Sequence, residues 1–331
     1  MSGSFRALRL DQVEGKTRAV LADIAIDDLP PGDVLVDVIR STLNYKDALA
    51  ITGAGKIVRQ FPFVPGIDFA GKVASSADAR FKPGDAVILT GWGVGERQWG
   101  GLGAKARVKG DWLLPLPAGL SLEQAMAVGT AGFTAMLSVL ALEEQGVTPE
   151  RGEIVVTGAA GGVGSVAIPL LARAGYRVVA SSGRAELVGY LKELGAAEVV
   201  DRRQFGEGSK APLDSARWAG AVDSVGGDTL INLLKAMQYH GVVAACGLAG
   251  GAELHGTVFP FILRGVRLIG IDSAYYPAAG RAVVWDRIAR DLDLCLLARM
   301  TTLVPLRDVP KLAPDFLRGA VRGRLVVDTS A

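Results

Sequence analysis

The chain has 331 residues, half of them hydrophobic and 21% charged; that exceeds one ordinary domain, permits large buried cores and excludes a disordered protein. Its 36 Lys and Arg against 34 Asp and Glu leave a formal charge of +2, so neither net charge nor any basic cluster makes a case for nucleic acid as a partner. Cys246 and Cys295 are its only cysteines, too few for a disulfide framework and in keeping with a reducing cytoplasm.

The N-terminus runs Met1-Ser2-Gly3-Ser4-Phe5-Arg6 straight into a strand-like pattern, so no signal peptide is expected. No apolar stretch is read as reaching the roughly 18 residues that a membrane helix needs, and no membrane partner is expected. Residues 1–128 hold short β-like runs at 5–10, 33–41, 71–74, 86–89 and 104–108. They are separated by Pro30-Pro31-Gly32, Pro65-Gly66 and Lys82-Pro83-Gly84-Asp85, the pattern of a small barrel-like β domain. Ser121-Leu122-Glu123-Gln124 has the form of a capping box and starts a helix. Residues 129–274 alternate strands and helices, as in a doubly wound α/β domain. The remainder, 275–331, carries an amphipathic helix over 282–297 and a last strand over 323–327, expected to return to the N-terminal domain.

The most telling stretch is Gly158-Ala159-Ala160-Gly161-Gly162-Val163-Gly164. A buried strand, 153–157, precedes it. Val166, Ile168, Leu170, Leu171 and Ala174 follow at helical spacing, Gly175 closes that helix, and a second buried strand runs over 177–181. Strand, glycine turn, helix, strand is a dinucleotide-binding unit, in which glycines admit the pyrophosphate and the helix N-terminus meets it. Ala159, Gly161 and Gly164 fill the G-x-G-x-x-G frame, the first place not literally. An NAD site usually sets an acid at the end of the second strand; here the chain reads Ser181-Ser182-Gly183-Arg184, with no carboxylate before Glu186. Hydroxyls and guanidinium groups suit a 2′-phosphate, so Ser182, Gly183, Arg184 and Arg202, just past the next strand at 197–201, are read as the phosphate site and the cofactor as NADPH; the alternative is that Arg184 and Arg202 are solvated surface groups.

A β domain, a glycine-rich nucleotide domain and a returning C-terminal strand resemble the medium-chain dehydrogenase/reductase superfamily. The segments Leu43-Asn44-Tyr45-Lys46-Asp47, Pro65-Gly66-Ile67-Asp68-Phe69-Ala70-Gly71, Gly91-Trp92-Gly93-Val94-Gly95, Trp99-Gly100-Gly101, Gly129-Thr130-Ala131-Gly132-Phe133-Thr134-Ala135 and Cys246-Gly247-Leu248-Ala249-Gly250-Gly251 look like its NADPH-dependent acrylyl-CoA reductase group. The resemblance covers nearly the whole chain. It implies a GroES-like β-barrel catalytic domain on a Rossmann-type domain with a doubly wound parallel sheet, a small-molecule acyl-CoA substrate, and reduction of acrylyl-CoA to propanoyl-CoA. A quinone or 2-alkenal reductase would share every cofactor feature. Relatives form homodimers by joining Rossmann sheet edges, and the apolar segment 258–263 with the strand 267–271 offers such an edge.

The resemblance also places site residues. Tyr45 is the candidate proton donor or, equally, a nicotinamide contact. Asn44 orients substrate or forms a structural turn. Lys46 is more readily a solvated lysine than a carbonyl-polarising one, and Asp47 caps the following helix. Ala160, Gly161, Gly162 and Val163 face the pyrophosphate, while Leu248, Ile262 and Ser273 border the nicotinamide; for Leu248 and Ile262 core packing is the alternative. Where relatives offer an amide to the cofactor near the C-terminus, this chain has Arg318-Gly319. Zinc-dependent members carry Cys near the place of Asn44 and Gly-His-Glu at Gly66-Ile67-Asp68, and neither His240 nor His255 lies in those motifs, so no metal is expected. Cys246, at a buried strand end, and Cys295, on the apolar face of a helix, are read as structural.

Overall fold

Strands β1 (Ser4–Val13) and β2 (Lys16–Ala25) pair antiparallel around Glu14 and Gly15. Both turn residues have positive φ, 51° and 76°, the two-residue turn whose twist matches a right-handed hairpin. The computed structural model describes residues 3–206 and 211–331 and separates into two units. One holds the described residues up to Thr130 with Ser273–Arg290 and Leu297–Ala331; the other holds Ala131–Asp272 and Asp291–Leu296.

The first unit is built on a seven-stranded sheet. Strands β3 (Val34–Leu43), β4 (Asp68–Ser76), β5 (Ala86–Thr90), β6 (Lys105–Val108) and β7 (Leu114–Pro115) pair antiparallel. Its inward faces bury Val34, Val36, Phe69, Val87 and Leu89, the alternation that a sheet with one packed face requires. Helix α1 (Tyr45–Thr52) follows β3 directly and ends at Gly53, whose φ of 71° is a left-handed C-cap. Helix α2 (Leu122–Glu144) begins at the expected capping box: Ser121 N–H donates to Gln124 Oε1 at 2.8 Å and Gln124 N–H to Ser121 Oγ at 3.1 Å. Gly129, at φ 50° and ψ −159°, breaks the helix. With 23 apolar-rich residues α2 is long enough to cross a membrane, which corrects the expectation that no stretch is. Most of its surface is buried inside the fold, which is why a core helix passes that test.

The second unit is an all-parallel sheet of strands β8 (Glu153–Val156), β9 (Val178–Ser182), β10 (Glu198–Asp201), β11 (Trp218–Asp223), β12 (Met237–Ala245) and β13 (Arg267–Gly270) in the order β10-β9-β8-β11-β12-β13. Helices α3 (Gly162–Arg173), α4 (Val188–Glu193), α5 (Arg203–Gly206), α6 (Gly227–Lys235) and α7 (Phe259–Arg264) punctuate it. Val155, Val179, Ala221 and Val243 are fully buried, as strands covered on both faces must be. Order reverses between β8 and β11, the place where doubly wound sheets bind ligands.

The chain ends with α8 (Ala278–Asp291), α9 (Leu294–Met300), β14 (Thr301–Pro305), α10 (Val309–Leu317) and β15 (Arg324–Asp328). β15 pairs antiparallel with β3 and parallel with β14, so the last strand lies inside the first unit's sheet. The single helix expected over 282–297 is two helices. Asp293 caps the second, its Oδ1 accepting from the N–H groups of Cys295 (2.7 Å) and Leu296 (3.3 Å). Cys295 is accordingly exposed and not on an apolar face.

Candidate active site

At the C-terminal ends of the parallel strands the glycine run turns from β8 into α3. Gly158 has φ 57°, and a β-carbon there would collide with Ser224 Oγ. Gly164 packs on the backbone of Ala159, where a β-carbon would lie 2.6 Å from its Cα; only glycine permits that approach. Ala160 is buried, Gly161 is the N-cap of α3, and Gly162 and Val163 form its first turn. The free N–H groups and partial positive charge of a twelve-residue helix therefore face outward at this loop.

The phosphate candidates meet at the neighbouring strand ends. Asp201 and Ser182 are in register, Arg202 N–H donates to Ser182 O at 3.1 Å, and Arg184 N–H donates to Ser182 Oγ at 3.2 Å. The Arg202 side chain lies across Gly183 so closely that a β-carbon there would collide with its Nε. None of the Arg202 side-chain N–H groups has an acceptor among the described residues. Asp201 is engaged by Arg203, which holds its carboxyl down to about 2. A nucleotide's pyrophosphate and a phosphate on its ribose fit this set of donors.

Leu248 is exposed and lines a cleft of about 400 Å³ together with Ala245, Cys246, Gly247, Gly270, Ile271 and Asp272. Ile262 is 67% exposed on α7, which rules out core packing for it. Ser273 belongs to the first unit, where its carbonyl accepts from Arg281 Nη1 at 3.2 Å. Arg318, on the exposed end of α10, pairs with Asp315.

In the first unit, Tyr45 opens α1 and Asn44 is its N-cap. Tyr45 is half-buried, and its hydroxyl has no hydrogen-bond partner among the described residues. Asn44, by contrast, is bonded through both amide atoms inside the fold: Nδ2 donates to Thr42 Oγ1 (2.6 Å) and Asp68 Oδ2 (2.9 Å), and Oδ1 accepts from Arg324 Nη1 (3.0 Å). That favours the turn reading of Asn44 over substrate orientation. Asp47 completes a capping box, Oδ2 accepting from Asn44 N–H (2.9 Å), while its Oδ1 accepts from Ile67 N–H (3.0 Å). Burial, helped by the nearby Asp68 charge and opposed by those N–H groups, pushes the Asp47 carboxyl up to about 7. Lys46 pairs with Glu96 at 2.8 Å.

Asp68 collects further donors from Thr42 Oγ1 (2.9 Å), Thr130 N–H (2.9 Å) and Thr130 Oγ1 (2.5 Å). Arg324 is 2% exposed, and burial pulls its pKa down against the pull of Asp68 and Asp47. Neither Asp68 nor Arg324 is assigned a role by motif; the signal available was a charged residue inside an otherwise apolar run, Ile67-Asp68-Phe69-Ala70 and Gly323-Arg324-Leu325-Val326-Val327. A zinc ion is poorly matched by this set, which holds no thiolate or imidazole and whose Asp47 and Asp68 oxygens already accept from Asn44, Ile67, Thr42 and Thr130. Among the described residues no three His, Cys, Asp or Glu gather where they could hold a metal.

Residues 30–118 match the alcohol dehydrogenase GroES-like domain, and 162–290 match the zinc-binding dehydrogenase family. The chain is 55% identical to acrylyl-CoA reductase AcuI of Ruegeria pomeroyi, over 99% of this chain and all of that one. Among solved structures, the yhdH oxidoreductase of Salmonella enterica in complex with NADP superposes with a TM-score of 0.95 at 55% identity, covering 98% of this chain and 99% of that one. The Bacillus subtilis protein yhfP with NAD bound does so with a TM-score of 0.95 at 47% identity, covering 99% and 100%. The fold, the glycine loop and this full-length similarity agree: the chain belongs to the acrylyl-CoA reductase group of the medium-chain dehydrogenase/reductase superfamily.

Proposed function

We propose that this protein reduces the C=C bond of acrylyl-CoA to give propanoyl-CoA, with NADPH as the reductant. The observation that carries the reading is the strand end at Ser182-Gly183, which bears no carboxylate of its own and is crossed by Arg202, while the neighbouring Asp201 is paired with Arg203, in a chain similar over its full length to an acrylyl-CoA reductase. When bound, NADPH supplies the hydride that adds to the β-carbon of the unsaturated thioester. Ala160, Gly161, Gly162 and Val163 would hold the pyrophosphate at the start of α3, and Ser182, Gly183, Arg184 and Arg202 would hold the 2′-phosphate. On the parallel-sheet unit, Leu248 and Ile262 would border the nicotinamide.

Once reduced at its β-carbon, the unsaturated thioester would need one proton at its α-carbon. Tyr45 Oη, with no partner among the described residues, is the group we assign to deliver it; the phenolate then recovers a proton from solvent, and the alkene has gained one hydride and one proton. The substrate's own carbonyl takes up the developing charge, so the reaction as drawn needs no zinc.

We also place a second copy of the chain at the β13 edge, where Val258, Phe259, Ile262 and Leu263 are exposed and strand pairing would cover the open ladder. Light scattering should give twice the chain mass; a monomer across a range of concentrations would end that assignment. The cytoplasm suits two free cysteines. The decisive functional test is steady-state comparison of acrylyl-CoA with benzoquinone and free 2-alkenals at saturating NADPH. The acrylyl-CoA kcat/KM should exceed both by more than about tenfold, since a site built for the thioester must discriminate at that level or better. A quinone or enal preference would overturn the substrate assignment.

A further inference from the structure

One buried charge in this site has no task in the reaction as drawn. Arg324 begins β15 and is almost fully enclosed, and removing a guanidinium from water is costly unless its donors are used. Two of them are. Nε donates to Ala127 O at 2.7 Å, and Nη1 donates to Asn44 Oδ1 at 3.0 Å. Nη2 has no hydrogen-bond partner among the described residues. It faces Gly129 beside Asp68: a β-carbon on Gly129 would lie 2.8 Å from Arg324 Nη2 and 2.7 Å from Asp68 Oδ2.

What the guanidinium holds is the root of α1. With Oδ1 of Asn44 taken by Arg324, the amide is turned so that Nδ2 reaches Thr42 and Asp68. Asn44 in turn caps the helix whose first residue is Tyr45. Asp47 grips the same turn from its other side, through Asn44 N–H and Ile67 N–H. The outcome is a first turn fixed by buried bonds that nevertheless leaves the Tyr45 hydroxyl unengaged among the described residues. A planar fork that bonds a strand-end amide and a helix carbonyl at once is something Arg offers and Lys does not.

We propose that Arg324 is a positioning residue for Tyr45, acting through Asn44 to fix the first turn of α1; this rests on the reading of Tyr45 as a residue that meets the reacting atoms. The test is a double-mutant cycle of Arg324→Lys with Tyr45→Phe. Alone, Arg324→Lys should lower kcat by about a hundredfold, the order expected when a reacting group is misplaced by an ångström. The NADPH Kd, read by fluorescence titration of the unreacting complex, should stay within about twofold, because the residues assigned to its phosphates lie elsewhere in the chain. In the Tyr45→Phe background the same substitution should cost less than about threefold, since two changes acting on one event do not add. Equal losses in both backgrounds, or an NADPH Kd that weakens in step with kcat, would overturn the proposal.

If Arg324→Lys does not fold, Asn44→Ser removes the acceptor of the same bond yet keeps a good N-cap, and the same cycle applies. The two failures can be told apart. If Tyr45→Phe alone leaves kcat and the NADPH KM at wild-type values, the reading of Tyr45 falls and the positioning role with it. If Tyr45→Phe is impaired but the losses multiply, only the positioning role is lost.

Discussion

Arg202 lies against the backbone of Gly183, so close that any side chain on that residue would displace the guanidinium. The contact joins the ends of two adjacent parallel strands, β9 and β10, and the Arg202 side chain has no acceptor among the described residues. A charge-assisted hydrogen bond contributes about 1.5–3 kcal/mol, so Arg202→Ala should lower kcat/KM for NADPH by about 10- to 150-fold. Activity with NADH, which lacks the phosphate, should hardly change. Parallel losses with both coenzymes would assign Arg202 to the fold.

Tyr45→Phe separates chemistry from binding at α1. General acid catalysis is worth about 10²–10⁴ in rate, so a proton-donating hydroxyl predicts a fall in kcat of at least about a hundredfold, with the NADPH KM little changed. Stopped-flow and steady-state rates with acrylyl-CoA measure both. An unaltered kcat with a raised NADPH KM would assign Tyr45 to the nicotinamide instead.

The Asp47 carboxyl gives a pH signature of the opposite sign to the usual acid. Its pKa rises from 3.8 to about 7 on folding, chiefly through burial. Between those values the folded chain holds a proton that the unfolded chain has lost, so this group's contribution to stability is present below about pH 4 and is lost as pH rises through about 7. The linkage amounts to something on the order of 4 kcal/mol. Asp47→Asn cannot titrate, so urea unfolding should show wild type losing stability from pH 5 to pH 8 relative to the variant. Parallel profiles would mean that Asp47 stays ionised throughout.

The parallel-sheet unit was largely legible in the sequence because each of its signals is local. Apolar runs flank a glycine turn, and Ser182-Gly183 stands where an acid is usual. The β hairpin partner β2 was not recognised, since its turn, Glu14-Gly15, lacks the Asn-Gly or Asp-Gly pair that announces such turns. The network of Asp68 and Arg324 was invisible for a different reason: its members are separated by more than 250 residues, and only the insertion of β15 beside β3 brings them together. Helix α2 misled in a third way, because burial within a core and burial within a membrane select the same composition. Tyr45 and Asn44 came from resemblance; that the hydroxyl of one is open and the amide of the other consumed is something only side-chain geometry can say.

The two cysteines should differ sharply in reactivity. Cys246 follows β12, its thiol donating to Asp223 O at 3.3 Å, and burial together with the Asp223 charge pushes it up to about 12. At neutral pH it holds almost no thiolate, the form that attacks. Cys295 is exposed on α9. Ellman's reagent should therefore titrate one thiol rapidly in the native protein and the second only after denaturation, and Cys295→Ser should remove the fast phase. Because Cys246 lines the same cleft as Leu248, a fast phase that survives Cys295→Ser and is suppressed by NADPH would show instead that the Cys246 thiol is open and lies in the coenzyme's path.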